Sequence, residues 1–540
     1  MENLLNALAD WRDAIGTKYV LVDDPIVAAA QTATYITHQK VPAVIQPSNS
    51  DEVQQCVKIA NKYKTPIYPI SCGKNWGYGS RVPVQDGCVV MDLSRLNRIL
   101  DYNEKLAYVT VEPGVTFSQL FLYLHEQKSN LFLSVTGTAI SASLIGNVLE
   151  RGIGKGPCGE RIANVCGFEV ILPTGECVHT GFGRFANAKA TEVARCGVGP
   201  YLEGIFTQSN LGIVTKMTLW LTPFPKHFQT FFYSLKHESQ LEPLIDILRD
   251  FKLSGLLRTP FLITNDYRRL SLATQYPWQE SSGKTPLDPA LKEKLKKAKR
   301  LGQLWAGEGA LYCNSKQEGL AQRKLIKDAL KGKVNNLSFI DENNLGAALI
   351  FEQSLQSIGK LDLVSKVAMA YHKSGFIGFP RNRALAMAYW RKNTALPLKP
   401  DLDKDKCGII WISPTVPFDG QQIRTAINIM EEVFFKYQLE PNLGLYCATE
   451  RSIDITGAII YDREVSGEDE HAMKCYDDML QKLVEQGYIP YRLGIHSMNS
   501  LPNAQDGYGK LLSVLKQAID PNNILSPGRY DFRKDWPKEG

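Results

Sequence analysis

The sequence predicts an α+β protein of at least two domains, on three observations. Its 540 residues are more than one hydrophobic core holds. From Val41 to about Phe224, short apolar strands alternate with helical stretches. Two prolines then punctuate Leu221-Thr222-Pro223-Phe224-Pro225, and beyond them the pattern changes to longer helical stretches and separated strands such as Gly408-Ile409-Ile410-Trp411-Ile412-Ser413.

The elements follow in order. Residues 1–40 read as a helical lead-in, and Val41 to Pro47 as a short strand. Ser48-Asn49-Ser50-Asp51-Glu52-Val53 is an N-cap cluster that opens a helix running to Tyr63. Thr65 to Ile70 is strand-like, and Asp86 to Leu93 is a turn followed by a strand. Tyr108 to Pro113 alternates apolar and polar residues, which predicts a half-buried strand, and Thr116 to Leu120 starts a helix. The polar segment Gln279 to Pro289 reads as a surface excursion.

Composition narrows the function. An apolar fraction of 44% and a charged fraction of 22% are ordinary for a globular protein, and a net charge of +6 over this length is mild. The basic run Lys292 to Arg300 reads either as a patch for nucleic acid or an acidic partner, or as a solvated helix face. No aromatic residue interleaves it, and Leu291, Leu295 and Leu301 give it one buried side, so the helix face is favoured and no nucleic-acid partner is expected. The start lacks the basic and apolar regions of a secretory signal, and no apolar run reaches the length of a membrane span. Eleven cysteines without paired spacing fit reduced thiols, so a cytoplasmic protein is expected. Neither Cys-x-x-Cys nor His-x-x-x-His occurs, and no metal site is indicated.

The most informative stretch is Pro69-Ile70-Ser71-Cys72-Gly73-Lys74-Asn75-Trp76-Gly77-Tyr78-Gly79-Ser80. Its three glycines let the backbone turn tightly and bring N–H groups close to a ligand. Rows of such groups favour an anion, above all a pyrophosphate. The spacing is not that of a Rossmann fingerprint, because a strand rather than a helix follows. Taken alone, the loop reads more readily as a tight turn in an α/β sheet than as a phosphate cradle.

Other motifs join it: Glu112-Pro113-Gly114-Val115, the stretch from Ser143 to Gly154 that contains Glu150-Arg151-Gly152-Ile153-Gly154, Gly167 to Glu176, Gly204 to Thr215, and Asp520-Pro521-Asn522-Asn523-Ile524-Leu525-Ser526-Pro527-Gly528-Arg529. In this order and spacing the chain resembles the vanillyl alcohol oxidase / p-cresol methylhydroxylase family of FAD enzymes over nearly its whole length. The resemblance implies a two-domain FAD-binding fold of the p-cresol methylhydroxylase type with an inserted α+β cap domain. Residues 1–225 would form the FAD domain, 226–484 the cap, and 485–540 a tail returning to the FAD domain. It implies FAD as cofactor, an aromatic small-molecule substrate, oxygen or a protein as electron acceptor, and a homo-oligomer.

It also assigns residues. Tyr78, Tyr491 and Arg492 stand where the family holds a phenol; two hydroxyls and a guanidinium there would donate to a phenolate and lower its pKa. A phenolate pushes electrons to its para carbon, so a hydride can leave for the flavin and a quinone methide results. Thr138 stands where vanillyl alcohol oxidase has its catalytic aspartate, and no carboxylate lies nearby in sequence. Lys155 replaces a family tyrosine and reads as an anion binder, a desolvated base or an exposed loop residue, with Glu160 as a candidate acidic partner.

For the cofactor, the resemblance puts Ser71, Cys72, Gly73, Lys74, Asn75, Trp76, Gly77 and Tyr78 at the pyrophosphate. It puts Ser143, Gly146, Asn147 and Gly154 along the isoalloxazine and ribityl chain, Ile213 and Val214 at the adenine, and Arg529 at the flavin's polar edge. Gly137 reads either as a small residue where oxygen would approach the ring, which slightly favours an oxidase, or as a turn glycine, and the acceptor stays open. At the family's covalent attachment position stand Asp454 or Ile455, so FAD is expected to bind without a covalent link. Cys72 and Cys158 read as ordinary buried cysteines. Two other readings stay open: oxidation of a larger alcohol or amine, and a non-catalytic flavin protein that carries electrons.

Overall fold

The lead-in forms two helices, Glu2–Ile15 and Asp24–Ala30. Ala7, Leu8, Trp11 and Ile15 line one side of the first and are buried, the spacing of an amphipathic helix. Trp11 Nε1 donates to the Cys56 carbonyl at 3.0 Å and ties this helix to Ser50–Lys62. The latter is capped as its sequence demands, with the Asn49 side chain accepting from Glu52 N at 2.9 Å. The computed structural model describes residues 2–299, 301–341, 375–500 and 506–531. The end of the basic run at Arg300 and parts of the expected cap and tail, 342–374, 501–505 and 532–540, lie outside the described residues.

Two sheets build the first lobe. One has the strand order Val20–Leu21, Val44–Ile45, Val89–Asp92, Ile67–Ile70, and the last three run parallel. The second is antiparallel, in the order Ile99–Asn103, Tyr108–Val111, Ile213–Trp220, Val165–Ile171, Cys177–His179. Tyr108–Val111 departs from expectation, since all four residues are buried. The polar face of that strand is covered too, and Thr110 Oγ1 satisfies itself on Thr218 Oγ1 of the neighbouring strand at 2.8 Å. Residues near the end of the chain return to this lobe: Ile67 N donates to the Ile524 carbonyl at 2.7 Å, and Ser526 N to the Ile67 carbonyl at 2.8 Å.

The second lobe is built on an antiparallel sheet ordered Asn336–Asp341, His227–Leu235, Trp305–Cys313, Phe261–Asn265, Asn442–Cys447, Ser452–Asp462, Cys407–Ile412, with Thr415–Pro417 also paired to Ser452–Asp462. Side chains alternate across it. Phe231, Tyr233, Ile263, Leu445, Ile455 and Ile410 join one core with the helices Leu241–Leu253, Gly420–Lys436 and Glu468–Glu485. Phe232, Leu262, Thr264, Tyr446, Thr456 and Trp411 take the opposite parity and wall a cavity.

The basic run is the helix Pro289–Ala298. Leu291, Leu295 and Leu301 pack on a core cluster, as their spacing predicts. Two of its lysines also turn inward: Lys292 and Lys296 both pair with Asp266, at 3.2 and 3.0 Å.

Candidate active site

A cavity of about 680 Å³ lies between the glycine-rich loop and the sheet of the second lobe. The loop needs its glycines. Gly73, Gly77 and Gly79 have φ of +62°, +80° and +119°, and a Cβ on Gly77 would fall 2.1 Å from Trp411 Cδ1. The amides of Cys72, Gly73, Lys74, Asn75 and Trp76 donate to no group among the described residues. Gly73 and Trp76 are buried, so these N–H groups call for a partner from outside the chain. Asn147 Oδ1, on the cavity-lining helix Leu144–Leu149, is likewise buried without a partner. Rows of free amides suit a phosphate-bearing group, and the sites offered by the residues present fit one.

Side chains tie the loop to the second lobe. Lys74 Nζ pairs with Asp401 at 2.8 Å, Ser80 Oγ donates to Asp403 at 2.6 Å, and Trp76 Nε1 donates to Asp403 at 3.1 Å. Burial pushes the Asp403 carboxyl up to about 6 despite these donors. The Lys74 ammonium is thus engaged by a carboxylate, and the loop meets the cavity with its backbone.

Tyr78, Tyr491 and Arg492 converge on one part of the wall. The Tyr78 hydroxyl lies 3.3 Å from Ser413 Oγ, and the Arg492 guanidinium stacks 4.2 Å from the centre of the Tyr78 ring. The backbone holds the group in register, with Tyr491 N donating to the Ser413 carbonyl at 3.1 Å and Ile495 N to the Tyr78 carbonyl at 3.1 Å. Burial raises both phenols, so each remains an O–H donor at neutral pH.

Behind them stands Glu150. It accepts from Arg492 Nε at 3.1 Å, from the Tyr530 hydroxyl at 3.1 Å and from Arg529 Nη2. Burial alone would raise its carboxyl, but the Arg529 and Arg492 guanidiniums outweigh burial and hold it below its ordinary value. Arg492 also donates to Asn75 Oδ1, and Arg529 to the Tyr68 hydroxyl.

The expected partner of Lys155 requires a correction. Glu160 is exposed and does not pair with it. Lys155 forms an ion pair with Glu308, and its ammonium lies 5.1 Å from the centre of the Phe376 ring. Glu308 comes from the strand Trp305–Cys313 and is flanked by Gly307 and Gly309, where a Cβ would lie 2.2 and 2.4 Å from the Tyr233 and Phe231 rings. A carboxylate between two glycines on an apolar strand was the available signal for it in the sequence. Thr138 and Gly137 line the cavity, and a Cβ on Gly137 would make ordinary contact with Ala384 at 3.5 Å.

The cavity wall also includes Ser71, Cys72, Ser143, Gly146, Ile213, Val214 and Arg529, but not Gly77 or Gly154. Gly77 faces Trp411 instead, and Gly154 packs where a Cβ would lie 2.5 Å from Arg161 Nη2. The Cys72 thiol is pushed up to about 12 by burial, and Cys158 contacts Thr222 Oγ1 at 3.3 Å without lining the cavity. Glu308, Glu150 and Arg268 carry no expectation from sequence, yet all three line the wall. Asp454 makes its hydrogen bond to Thr415 Oγ1 at 2.6 Å, and burial pushes its carboxyl up to about 6. Among the described residues one trio with ligand-like spacing, Glu169, Cys177 and His179, lies outside the cavity wall. All eleven cysteines are free, and no described helix is long and apolar enough to cross a membrane.

Residues 41–181 match the family model described as an FAD binding domain. The chain is 48% identical over 534 residues to 1'-carboxy-chondrochloren decarboxylase of Chondromyces crocatus, covering 99% of this chain and 98% of that protein. It is 29% identical over 545 residues to the flavoprotein subunit of 4-cresol dehydrogenase [hydroxylating] of Pseudomonas putida, with 98% and 96% covered. The crystal structure of p-cresol methylhydroxylase with substrate bound superposes with a TM-score of 0.87 at 26% identity, over 99% of this chain and 98% of that one. The chain belongs to the vanillyl alcohol oxidase / p-cresol methylhydroxylase family of FAD flavoproteins. It is an FAD-dependent oxidoreductase with that family's two-domain α+β fold.

Proposed function

We propose that the protein removes a hydride from the benzylic carbon of a para-substituted phenol. The observation that carries this reading is the convergence of Tyr78, Tyr491 and Arg492 on one part of a cavity shared with the glycine-rich loop. The unpaired amides of Cys72–Trp76 and Asn147 would hold FAD, which would supply the hydride acceptor. Tyr78 and Tyr491 donate hydrogen bonds to the substrate oxygen, and the Arg492 charge favours its phenolate form. The phenolate expels the benzylic hydride with its electron pair and becomes a quinone methide. The Lys155–Glu308 pair stands in for the carboxylate missing at Thr138: Glu308 takes a proton from attacking water or from the adjacent carbon. A non-covalent link fits the attachment position: Asp454 accepts from Thr415 Oγ1, Ile455 is fully buried, and among the described residues no histidine lines the cavity. Oxygen or a protein then takes the electrons, and the protein works as a homo-oligomer.

A second reading is favoured by the relative at 48% identity, which is named a decarboxylase. If the carbon next to the benzylic position carries a carboxylate, the quinone methide can accept the electron pair of the C–COO⁻ bond. That bond breaks, CO₂ leaves, an alkene forms and the ring becomes a phenolate again. Only the first hydride is oxidised away, so both readings use one two-electron acceptor.

The test is anaerobic mixing of the holoenzyme with 4-alkylphenols and 4-hydroxybenzyl alcohols. Flavin absorbance is expected to bleach, and Tyr491→Phe to slow bleaching by roughly a hundredfold with FAD retained. Equal rates in Tyr491→Phe would remove the assigned role.

A further inference from the structure

Arg268, in the cavity wall, has no carboxylate partner among the described residues. Arg268 lies on the helix Asp266–Ala273, is 7% exposed, and reaches across the cavity face of the second-lobe sheet. Its Nη2 donates to three neutral acceptors: the Thr456 carbonyl at 2.6 Å, Thr456 Oγ1 at 3.2 Å and the Asn442 carbonyl at 3.4 Å. Its Nε is buried with no acceptor, and Nη1 has none among the described residues. The acid closest in sequence, Asp266, is ion-paired with Lys292 and Lys296. Desolvation is the only influence on its basicity, which falls to about 9, and no carboxylate opposes that fall.

A buried guanidinium without an anion is costly, so it implies that a partner arrives with the ligand. The space around it is prepared. Gly444 faces Arg268, and a Cβ there would lie 3.6 Å from its Cζ and 3.0 Å from Thr456 Oγ1. The guanidinium also lies 5.3 Å from the centre of the Trp411 ring, and Trp411 in turn packs on Gly77 beside Tyr78. The group is therefore close to the Tyr78 end of the same cavity.

We propose that Arg268 recognises a carboxylate carried on the side chain of the substrate, so that the enzyme selects acids over neutral molecules of the same shape. The proposal rests on the cavity being the substrate site, and it stands whether or not the substrate's other end is a phenol. A planar fork matches a carboxylate and is charged at neutral pH.

The probes are 4-hydroxycinnamate, which has no benzylic hydride to lose, its methyl ester, and cinnamate. Binding to the FAD-loaded enzyme is measured by titration calorimetry. Wild type is expected to bind 4-hydroxycinnamate roughly ten- to a hundredfold more tightly than the ester. Arg268→Met is expected to erase that preference, leaving ester affinity and FAD content unchanged, and Arg268→Lys to restore part of it. No acid preference in wild type overturns the proposal. So does a loss in Arg268→Met that is equal for acid and ester, or a loss of FAD, which would make Arg268 a packing or flavin-binding residue. Should Arg268→Met not fold, Arg268→Lys decides: an acid-to-ester ratio equal to wild type overturns the proposal, and a reduced ratio supports it. Cinnamate as tight as 4-hydroxycinnamate, with the Arg268 dependence intact, would remove the phenol reading and keep this one.

Discussion

At Glu150, burial and two guanidiniums pull in opposite directions, and the cations win. Replacing it by glutamine leaves Arg492 and Arg529 buried without their shared anion. Glu150→Gln is expected to lose about 3–5 kcal/mol in urea unfolding of the holoenzyme. Because the folded-state value is lowered, the stability from this carboxylate is present above its ordinary range and is lost as pH falls through the lowered value. Asp454 has the opposite sign. Its folded value is about 6 against an ordinary 3.8, so the folded state holds a proton that the unfolded chain has released. Stability therefore falls as pH rises from near 4 to about 6, by up to about 3 kcal/mol. Asp454→Asn is expected to flatten that part of the stability profile, and an unchanged slope would assign it to other groups.

The glycine-rich loop is the element on which cofactor binding depends. Gly77→Ala places a Cβ against Trp411 and forces alanine to a φ of +80°. The variant is expected to purify with FAD largely lost, read from its absorbance, and with a lower melting temperature. This loop was legible in the sequence because its signals are local: three glycines after a strand, and a strand rather than a helix behind it. The helix starts at the Ser48–Val53 cluster and at Thr116 were legible for the same reason, and the structure shows Asn49 and Thr116 each accepting from an amide three residues on. Burial of Tyr108–Val111 was not, because it depends on what covers a strand's second face. Glu308 was missed for a similar reason. It meets Lys155 from 153 positions away, through a strand pairing that no local pattern announces.

At the scale of the whole molecule, the cavity belongs to neither lobe alone. The first lobe contributes unpaired amides, Tyr78 and Lys155. The second contributes a sheet face with Glu308, Tyr446 and Thr456, together with Arg268. Lys74–Asp401 and the two hydrogen bonds to Asp403 fasten the halves together. The two-lobe plan and the Tyr78, Tyr491 and Arg492 cluster could be read from motifs, whereas the cap's own polar residues could not, since no motif marked them. Precipitating the protein in acid is expected to release all of its FAD into the supernatant, and flavin left on the pellet would contradict non-covalent binding. The proposed reaction is phenol oxidation at the benzylic carbon. The most direct measurement is anaerobic flavin reduction by 4-ethylphenol, by its benzylic-dideuterated form and by its O-methyl ether. Reduction by the phenol, slowing by benzylic deuterium and no reduction by the ether are expected. Equal rates with phenol and ether, or no reduction by any of the three, would contradict it.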